Sequence, residues 1–481
     1  SGQAYRERSY RDVPYLHRFT GYAEDNFSLP IGPTKLEVQA GVRGNMLAAT
    51  DLNTASLRSL EPRFDGKFTG ISNREHIHSF SFRAGWGLAC KMPSMVYLYP
   101  EPSYKDMVSF SYNDFDATGY GLNVLTTKRI ETINNYLSLQ CSKNFETGVE
   151  FETDFIDGSV VYYNENMTGG YDFATTYVPM SYTRYGYTWQ GDGLSQMLLP
   201  SGCNPQYWPG EGVTVASEPI PSVVDTTFMS YTTPVNAISN HKRGVEFTLD
   251  FKQFKPLSTS VSVSGAYMRM ESSQNWLSHR LYPGSVGGRT YPYVGIYYGT
   301  STSANASVKE RFATNVRFIT HLSRMAMVVT TTLQMVFIDR TQQQALCDGL
   351  SMPYFYDDLG QRVDGQAALE DTEHTKYINP LYIMDRSGRI MEFTREMERD
   401  DTYRNLILTT NTPTYYIRGG YPFYGMLNIR LTKEIGKVAT ISFYANNFLN
   451  LRGRVEHSVT GYPNDRNTPI YFGAEAKITL R

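Results

Sequence analysis

The stretch Ile470-Tyr471-Phe472-Gly473-Ala474-Glu475-Ala476-Lys477-Ile478-Thr479-Leu480-Arg481 alternates in character to the end of the chain. Ile470, Phe472, Ala474, Ala476, Ile478 and Leu480 fall on one side of an extended backbone, and Tyr471, Glu475, Lys477, Thr479 and Arg481 on the other. Successive strand side chains point to opposite faces, so this period of two predicts a strand with one apolar face. The same period recurs upstream. Leu36, Val38, Ala40 and Val42 alternate with Lys35, Glu37, Gln39 and Arg43. Phe80, Phe82, Ala84, Trp86 and Leu88 alternate with Ser81, Arg83 and small residues. Val245, Phe247, Leu249 and Phe251 alternate with Glu246, Thr248, Asp250 and Lys252, and Leu427, Ile429 and Leu431 with Asn428, Arg430 and Thr432.

Alternation is shared by soluble sandwiches and membrane barrels, so length and connections must separate them. Soluble strands average about 5–6 residues, whereas several runs here continue for about ten or more, the reach of a tilted strand across a bilayer. Short turns are expected at Pro30-Ile31-Gly32-Pro33, Phe155-Ile156-Asp157-Gly158, Lys255-Pro256-Leu257, His321-Leu322-Ser323-Arg324 and Lys433-Glu434-Ile435-Gly436. Between them lie long segments, read as loops at 44–77, 164–240, 270–307, 340–402 and 453–468. Short turns on one side and long loops on the other are the asymmetry of an outer-membrane barrel. At roughly 30 residues per strand and loop the chain holds about 12–16 strands, and open edges are not tolerated in lipid. Either these strands close on themselves or a further N-terminal part supplies the rest.

Composition agrees. The chain has 37 Tyr and 25 Phe with 19% charged residues, and amphipathic rings favour membrane interfaces and binding surfaces. No run approaches the roughly 18 apolar residues of a membrane helix; the most apolar, Met325 to Val329, is flanked by Ser, Arg and Thr. A formal net charge of −2 carries no footprint of nucleic-acid binding. Cys90, Cys141, Cys203 and Cys347 match no zinc or redox spacing. Cys203 and Cys347 fall in the two longest loops, where either a loop-to-loop disulfide or two unpaired small residues would fit. The start, Ser1-Gly2-Gln3-Ala4-Tyr5, has no apolar leader, so an exported protein would have lost its signal peptide or would begin inside a longer precursor.

Several passages resemble the C-terminal half of TonB-dependent outer-membrane receptors. They are Ser81-Phe82-Arg83-Ala84-Gly85-Trp86-Gly87 with Lys91-Met92-Pro93-Ser94 and Tyr97-Leu98-Tyr99-Pro100, then Phe145-Glu146-Thr147-Gly148-Val149-Glu150-Phe151 and Gly244-Val245-Glu246-Phe247. Near the end comes Ser442-Phe443-Tyr444-Ala445-Asn446-Asn447-Phe448-Leu449-Asn450. The resemblance implies an all-β, antiparallel transmembrane barrel of about 22 strands closed by an N-terminal plug. It implies that residues 1–481 are the C-terminal portion of the barrel, with the plug and earliest strands missing, cleaved or on another chain. It further implies residence in the outer membrane and uptake of a nutrient (siderophore, vitamin, glycan or peptide) driven by the TonB-ExbB-ExbD system, with a surface lipoprotein lid as a further partner of a SusC-like branch. The chain departs from the family at Arg481, where an aromatic is usual, and at 340–402, which lacks the Asp/Gly-rich segment of the glycan-importing branch. The rival readings are a passive porin or export pore, and a β-rich surface binding protein.

No nucleophile elbow, phosphate loop or zinc-protease helix is present, so no enzyme is expected. His76 and His78, at what reads as the outer end of a strand, could share a metal, but such a pair is more often solvated surface. Asp357, Asp358 and Asp364 near Gly360 and Gly365 suggest a bound calcium, yet the spacing fails the EF-hand pattern and an Asp/Gly turn explains it as well. Arg43, Arg83, Glu150, Glu246, Arg430 and Lys477 are expected to face a hydrated lumen. Ligand contacts are expected from loop aromatics, notably Tyr182, Tyr185, Tyr187, Trp189, Tyr207, Trp208, Tyr291 and Tyr293, because rigid rings give contact area at low entropic cost. The same rings could instead pack the loops together or join the aromatic belt of the membrane.

Overall fold

The structure, a computed structural model, describes residues 6–11, 13–48, 57–74, 76–114, 120–185, 197–199, 213–215, 222–286, 289–298, 305–345, 352–410, 412–436, 438–451 and 453–478. The chain is all-β. Its main element is one antiparallel sheet of 14 strands. Thirteen follow one another along it: β1 (His17–Ile31), β2 (Thr34–Ala48), β3 (Arg58–Arg74), β4 (Ile77–Lys91), β5 (Gln140–Thr153), β6 (Ile156–Tyr185), β7 (Ser222–Phe254), β8 (Thr259–Gln274), β9 (Ala306–Leu322), β10 (Met327–Gln344), β11 (Tyr424–Ile435), β12 (Ala439–Asn446) and β13 (Tyr471–Ile478). The short strand Gly419–Tyr421 pairs with the far end of β10.

Every connection at one end is short: 32–33, 75–76, 154–155, 255–258, 323–326 and 436–438. Gly32 and Gly436 turn there with φ of 58° and 55°, the left-handed conformation that costs glycine nothing. The opposite, long-loop end carries the excursions. Two expected loops are largely strand. Residues 58–74 of the expected 44–77 loop form β3, whose Leu60, Phe64 and Phe68 are spaced by Pro62 and Gly66, which hides the alternation. The expected 164–240 loop contains the outer halves of β6 and β7, which are 30 and 33 residues long and pair down to Tyr185 and Ser222. Thirty extended residues reach about 100 Å, well beyond a hydrocarbon core of about 30 Å. Outside lipid no apolar face is needed, so the pattern fades while the hydrogen-bond ladder continues.

The sequence reading also missed the excursion 92–139, which leaves β4 and returns at β5. It holds the helical turn Met95–Leu98 and the hairpin Ser103–Asp114/Tyr120–Ile130. The excursion lies against the β6/β7 pair, where Lys128 Nζ donates to the Ser181 carbonyl at 2.6 Å and Thr233 Oγ1 to the Thr132 carbonyl at 3.0 Å. On the same tower Phe228 packs with Val294, Ile296 and Met384 of the later excursions. The expected loop 270–307 contributes Leu277–Leu281 and Tyr293–Tyr298 to a four-stranded sheet with Tyr382–Asp385 and Ile390–Glu392, elements of 340–402. The 453–468 segment is a small hairpin, Arg454–Glu456 with Pro463–Asp465.

The wall sorts its side chains by face. Phe64, Phe82, Trp86, Phe145, Phe318 and Phe443 lie on one face and are 39–58% exposed, an uncovered apolar surface that water would penalise and hydrocarbon would not. The other face carries the ions of the inner part of the wall, while toward the long-loop end Arg243, Arg269, Glu271 and Glu310 pair on the side of the apolar residues. The two edges, β1 and β13, run in the same direction, and among the described residues they are not paired with each other.

Candidate functional site

The polar face is fixed by register. Lys67 pairs with Arg83 and Ser81 with Glu150 across β3, β4 and β5, which puts Lys67, Arg83 and Glu150 on one side. Following ladders outward, Glu246 of β7 opposes Ala266 of β8, Ala266 opposes Ala313 of β9, and Arg430 of β11 opposes Thr330 of β10. Arg43, Arg83, Glu150, Glu246, Arg430 and Lys477 therefore share one face. Arg43 Nε donates to Glu61 Oε2 at 3.0 Å, and Asn45 and Ser59 donate to Glu61 Oε1 at 2.7 and 2.6 Å, so a carboxylate side chain only 2% exposed is fully partnered. Lys67 Nζ and Arg83 Nε lie 2.6 and 3.4 Å from the two oxygens of Glu150. Arg430 reaches Glu475 at 2.6 Å and Ser442 at 3.1 Å. A hollow of about 520 Å³ opens on this face, lined by Asn26, Glu37, Lys67, Arg83, Glu146 and Glu150 among others.

The aromatic candidates divide. Tyr187, Trp189, Tyr207 and Trp208 lie outside the described residues. Tyr182 and Tyr185 sit on the outer end of β6, opposite Asp225 and Ser222 of β7, and not in a loop. Burial, then the charge of Asp225, raises the Tyr182 phenol above its ordinary value. Tyr291 is 2% exposed, packs with Ile383 and Leu406, and its hydroxyl donates to the Thr402 carbonyl. Burial, reinforced by Tyr293, pushes its pKa up to about 12. Its ring holds the excursions together. Tyr293 lies beside it, half-buried, with its ring centroid 5.1 Å from that of Tyr403.

In 340–402 the structure brings together residues that sequence spacing did not single out. The Arg362 guanidinium lies 3.6 Å from the Tyr354 ring centroid and pairs with Glu398, which also accepts from Tyr356 at 2.6 Å and Asn379 at 2.9 Å. Lys376 is 0% exposed, with its Nζ within 2.7–2.9 Å of the Asp371 carbonyl and Oδ1, the His374 carbonyl and the Pro413 carbonyl. An ammonium inside an oxygen cage does the structural work a bound cation could do. Burial alone would raise the Asp371 pKa; the hydrogen bonds from Lys376 and His374 overcome it and hold it far below the usual carboxylate range. Asp357 Oδ1 accepts from the Leu359 and Gln361 backbone at 3.0 and 2.7 Å, the Asp turn expected as the alternative to calcium, and Asp364 is engaged by Arg362. No group of ligating side chains suited to a metal occurs among the described residues.

His76 and His78 lie at the short-turn end, contrary to their expected outer position, because β3 ends at Arg74 and β4 begins at Ile77 at that end. They bracket Asp154 of the neighbouring turn, at 3.0 and 2.7 Å from its two oxygens, and those hydrogen bonds lower the Asp154 pKa. The cysteines add a link on which the sequence reading made no statement. Cys90 and Cys141, directly opposed on β4 and β5, form a disulfide at the base of the 92–139 excursion. Nothing in their separation of 51 residues signals the pairing; the register does. Cys203 and Cys347 lie outside the described residues.

No protein family's profile matches the chain, and no curated protein matches it. Among solved structures the chain is similar to the siderophore receptor PirA from Acinetobacter baumannii, at 10% identity over 97% of this chain and 55% of that one, with a TM-score of 0.39. It is similar to the siderophore receptor PiuA from the same organism, at 10% identity over 97% and 75% with a TM-score of 0.24. It is also similar to the ferric-catecholate import receptor Fiu from E. coli K12, at 9% identity over 97% and 74% with a TM-score of 0.23. The chain thus spans 55% of the length of the first of these, and with such identities and scores its function rests on its own geometry.

Proposed function

We propose that this chain is the larger, C-terminal part of the wall of an outer-membrane transporter that admits a nutrient with energy supplied through TonB. The observation that carries the reading is the sorting of faces: an uncovered apolar surface on one side of long antiparallel strands, ion pairs on the other, short turns at one end and built excursions at the other. In this arrangement the apolar face meets lipid, the face of Arg43, Arg83, Glu150, Glu246 and Arg430 lines the lumen, and the excursions stand outside the cell. Tyr182 and Tyr185, at the outer end of β6, and Tyr293, on an excursion, are the rings this reading offers for contact with an arriving solute.

Strand direction supports a missing part. β1 and β13 both run toward the short-turn end, so joining them directly would make a parallel pair. An all-antiparallel wall closes only if an odd number of further strands intervenes, and a wall of about 22 strands satisfies that. The completing strands, a plug, the TonB-ExbB-ExbD system and a surface lipoprotein lid are the partners this reading calls for.

The test is detergent extraction of the assembly from outer membranes, intact mass spectrometry, and conductance of the purified assembly in planar bilayers. A second polypeptide or a longer precursor carrying the completing strands, with a closed pore, supports the reading. Steady conductance from an assembly lacking a plug would move a passive pore ahead of it, and a chain that stays in solution without detergent would sink both.

A further inference from the structure

At the long-loop end the polar face changes character. Asn240 of β7 pairs with Ser272 of β8, Ser272 with Ser307 of β9, and Ser307 with Gln343 of β10, so one register row carries two amides and two hydroxyls across four strands. At about 4.8 Å between strands the row is about 14 Å wide. A cavity of about 340 Å³ opens over it, with Ile238 and Gln274 also in its lining and no charged side chain. The row next inward on this face holds Lys242, Met270 and Lys309, of which Lys242 is paired with Glu165. Charge therefore stops one row short of the cavity.

Two acceptors in this lining have no donor. Gln274 Nε2 donates to Asp172 Oδ2 at 3.1 Å, which fixes the amide and leaves Gln274 Oε1 buried and unpartnered among the described residues. Asn240 Oδ1 is buried and unpartnered as well. Native folds rarely leave a buried acceptor without a donor, so each such atom calls for a ligand or a water to meet it. Beside them the hydroxyls of Ser272 and Ser307 and the amide of Gln343 offer groups that donate and accept.

We propose that this cavity is a binding site for an uncharged oligosaccharide. The inference rests on the reading of the polar face as a lumen lining, and it names the class of solute met there. Each sugar hydroxyl both donates and accepts, so a saccharide supplies donors to Asn240 Oδ1 and Gln274 Oε1 while accepting from Ser272, Ser307 and Gln343. An anionic solute would set its own charge against those oxygens, and the lining has no cation to hold it. Ile238 in the lining, with Met270 one row inward, gives an apolar surface for the C–H face of a sugar ring. A site built of buried amides also rejects analogues that lack the hydroxyls, because its acceptors then stay unpaired.

The probe is an array of immobilised neutral oligosaccharides, covering glucans, xylans, mannans and galactans, with uronate-containing oligosaccharides and oligo-alanine alongside. It is read with the labelled assembly extracted from outer membranes in a detergent that has no sugar headgroup, native against N240L/Q274M. Heat-modifiable gel mobility certifies that each protein holds its barrel; Q274M alone serves if the double variant does not. The expected result is binding of at least one neutral class that weakens about tenfold in the variant, as loss of two hydrogen bonds between neutral partners would give. The empty variant should melt no lower than the native protein, because the substitutions remove acceptors that have no donor there. Absence of binding to every neutral oligosaccharide, equal binding by the variant, or a less stable empty variant overturns the proposal. Stronger binding of the uronates, which would bring in Lys309, or of oligo-alanine overturns it too. None of these outcomes bears on membrane insertion or conductance, so the transporter reading stands or falls separately.

Discussion

Lys376 Nζ lies 2.8 Å from Asp371 Oδ1 inside the outer excursion, and the lysine side chain has no exposed surface. Three backbone carbonyls from Asp371, His374 and Pro413 complete its shell, so one ammonium ties residues 371–376 to the segment near 413.

Replacing that ammonium removes one of several donors from the Asp371 carboxylate and leaves three carbonyls without theirs. We expect Lys376→Met to cost about 3–5 kcal/mol of local stability, the usual result of removing one partner from a buried pair. Hydrogen exchange would show faster exchange across 352–410 and unchanged protection in β1 to β9. Uniform loss across the wall would refute the assignment of Lys376 to the excursion alone.

The same cluster gives a pH dependence with two signs. Asp371 is depressed, so its contribution is present above the ordinary carboxylate value near 4 and is lost as pH falls through its lower folded value. The hydrogen bond from His374 to Asp371, at 3.0 Å, raises the imidazole pKa, so that contribution is full below about 6.5 and is lost as pH rises through the raised value. Exchange protection of 352–410 should therefore weaken slightly above neutrality in the native protein but not in His374→Asn; a native protein with no such change would contradict it.

The two faces of the wall predict opposite tolerances. Phe82→Arg on the apolar face should destabilise the inserted protein by about 2–4 kcal/mol, as an arginine near the bilayer midplane does. Ser264→Arg, on the polar face, should change little. Urea unfolding in lipid vesicles reads both, and equal effects at the two positions would mean that the faces are assigned wrongly.

Breaking the Cys90–Cys141 link frees the base of the 92–139 excursion. A closed loop with a separation of 51 residues corresponds to roughly 4 kcal/mol in the chain-entropy account. Limited proteolysis of Cys90→Ser/Cys141→Ser should cut within 92–139 faster than in the native protein, with β6 to β13 left intact. Equal cutting rates would show that the contacts to Ser181 and Thr233 suffice to hold the excursion.

Much of the wall could be read from the chain alone. The alternation around Phe82, Val245, Ile429 and Phe472 names strands, and Gly32, Pro256 and Gly436 mark turns, because a period of two and a left-handed turn are local backbone properties. The polar-face residues Arg43, Arg83, Glu150, Glu246 and Arg430 followed from that period without any knowledge of partners. What the chain did not reveal lies where lipid imposes no pattern. Whether Tyr291 would be buried, that Cys90 faces Cys141, that Asp154 stands between His76 and His78, and that β6 and β7 extend to Tyr185 and Ser222 all depend on register and on contacts between distant segments. The chain by itself determines the two faces of each strand, because side-chain direction is set residue by residue. Only the tertiary structure decides which excursions pack together, because their partners are chosen by shape and hydrogen bonding across long separations.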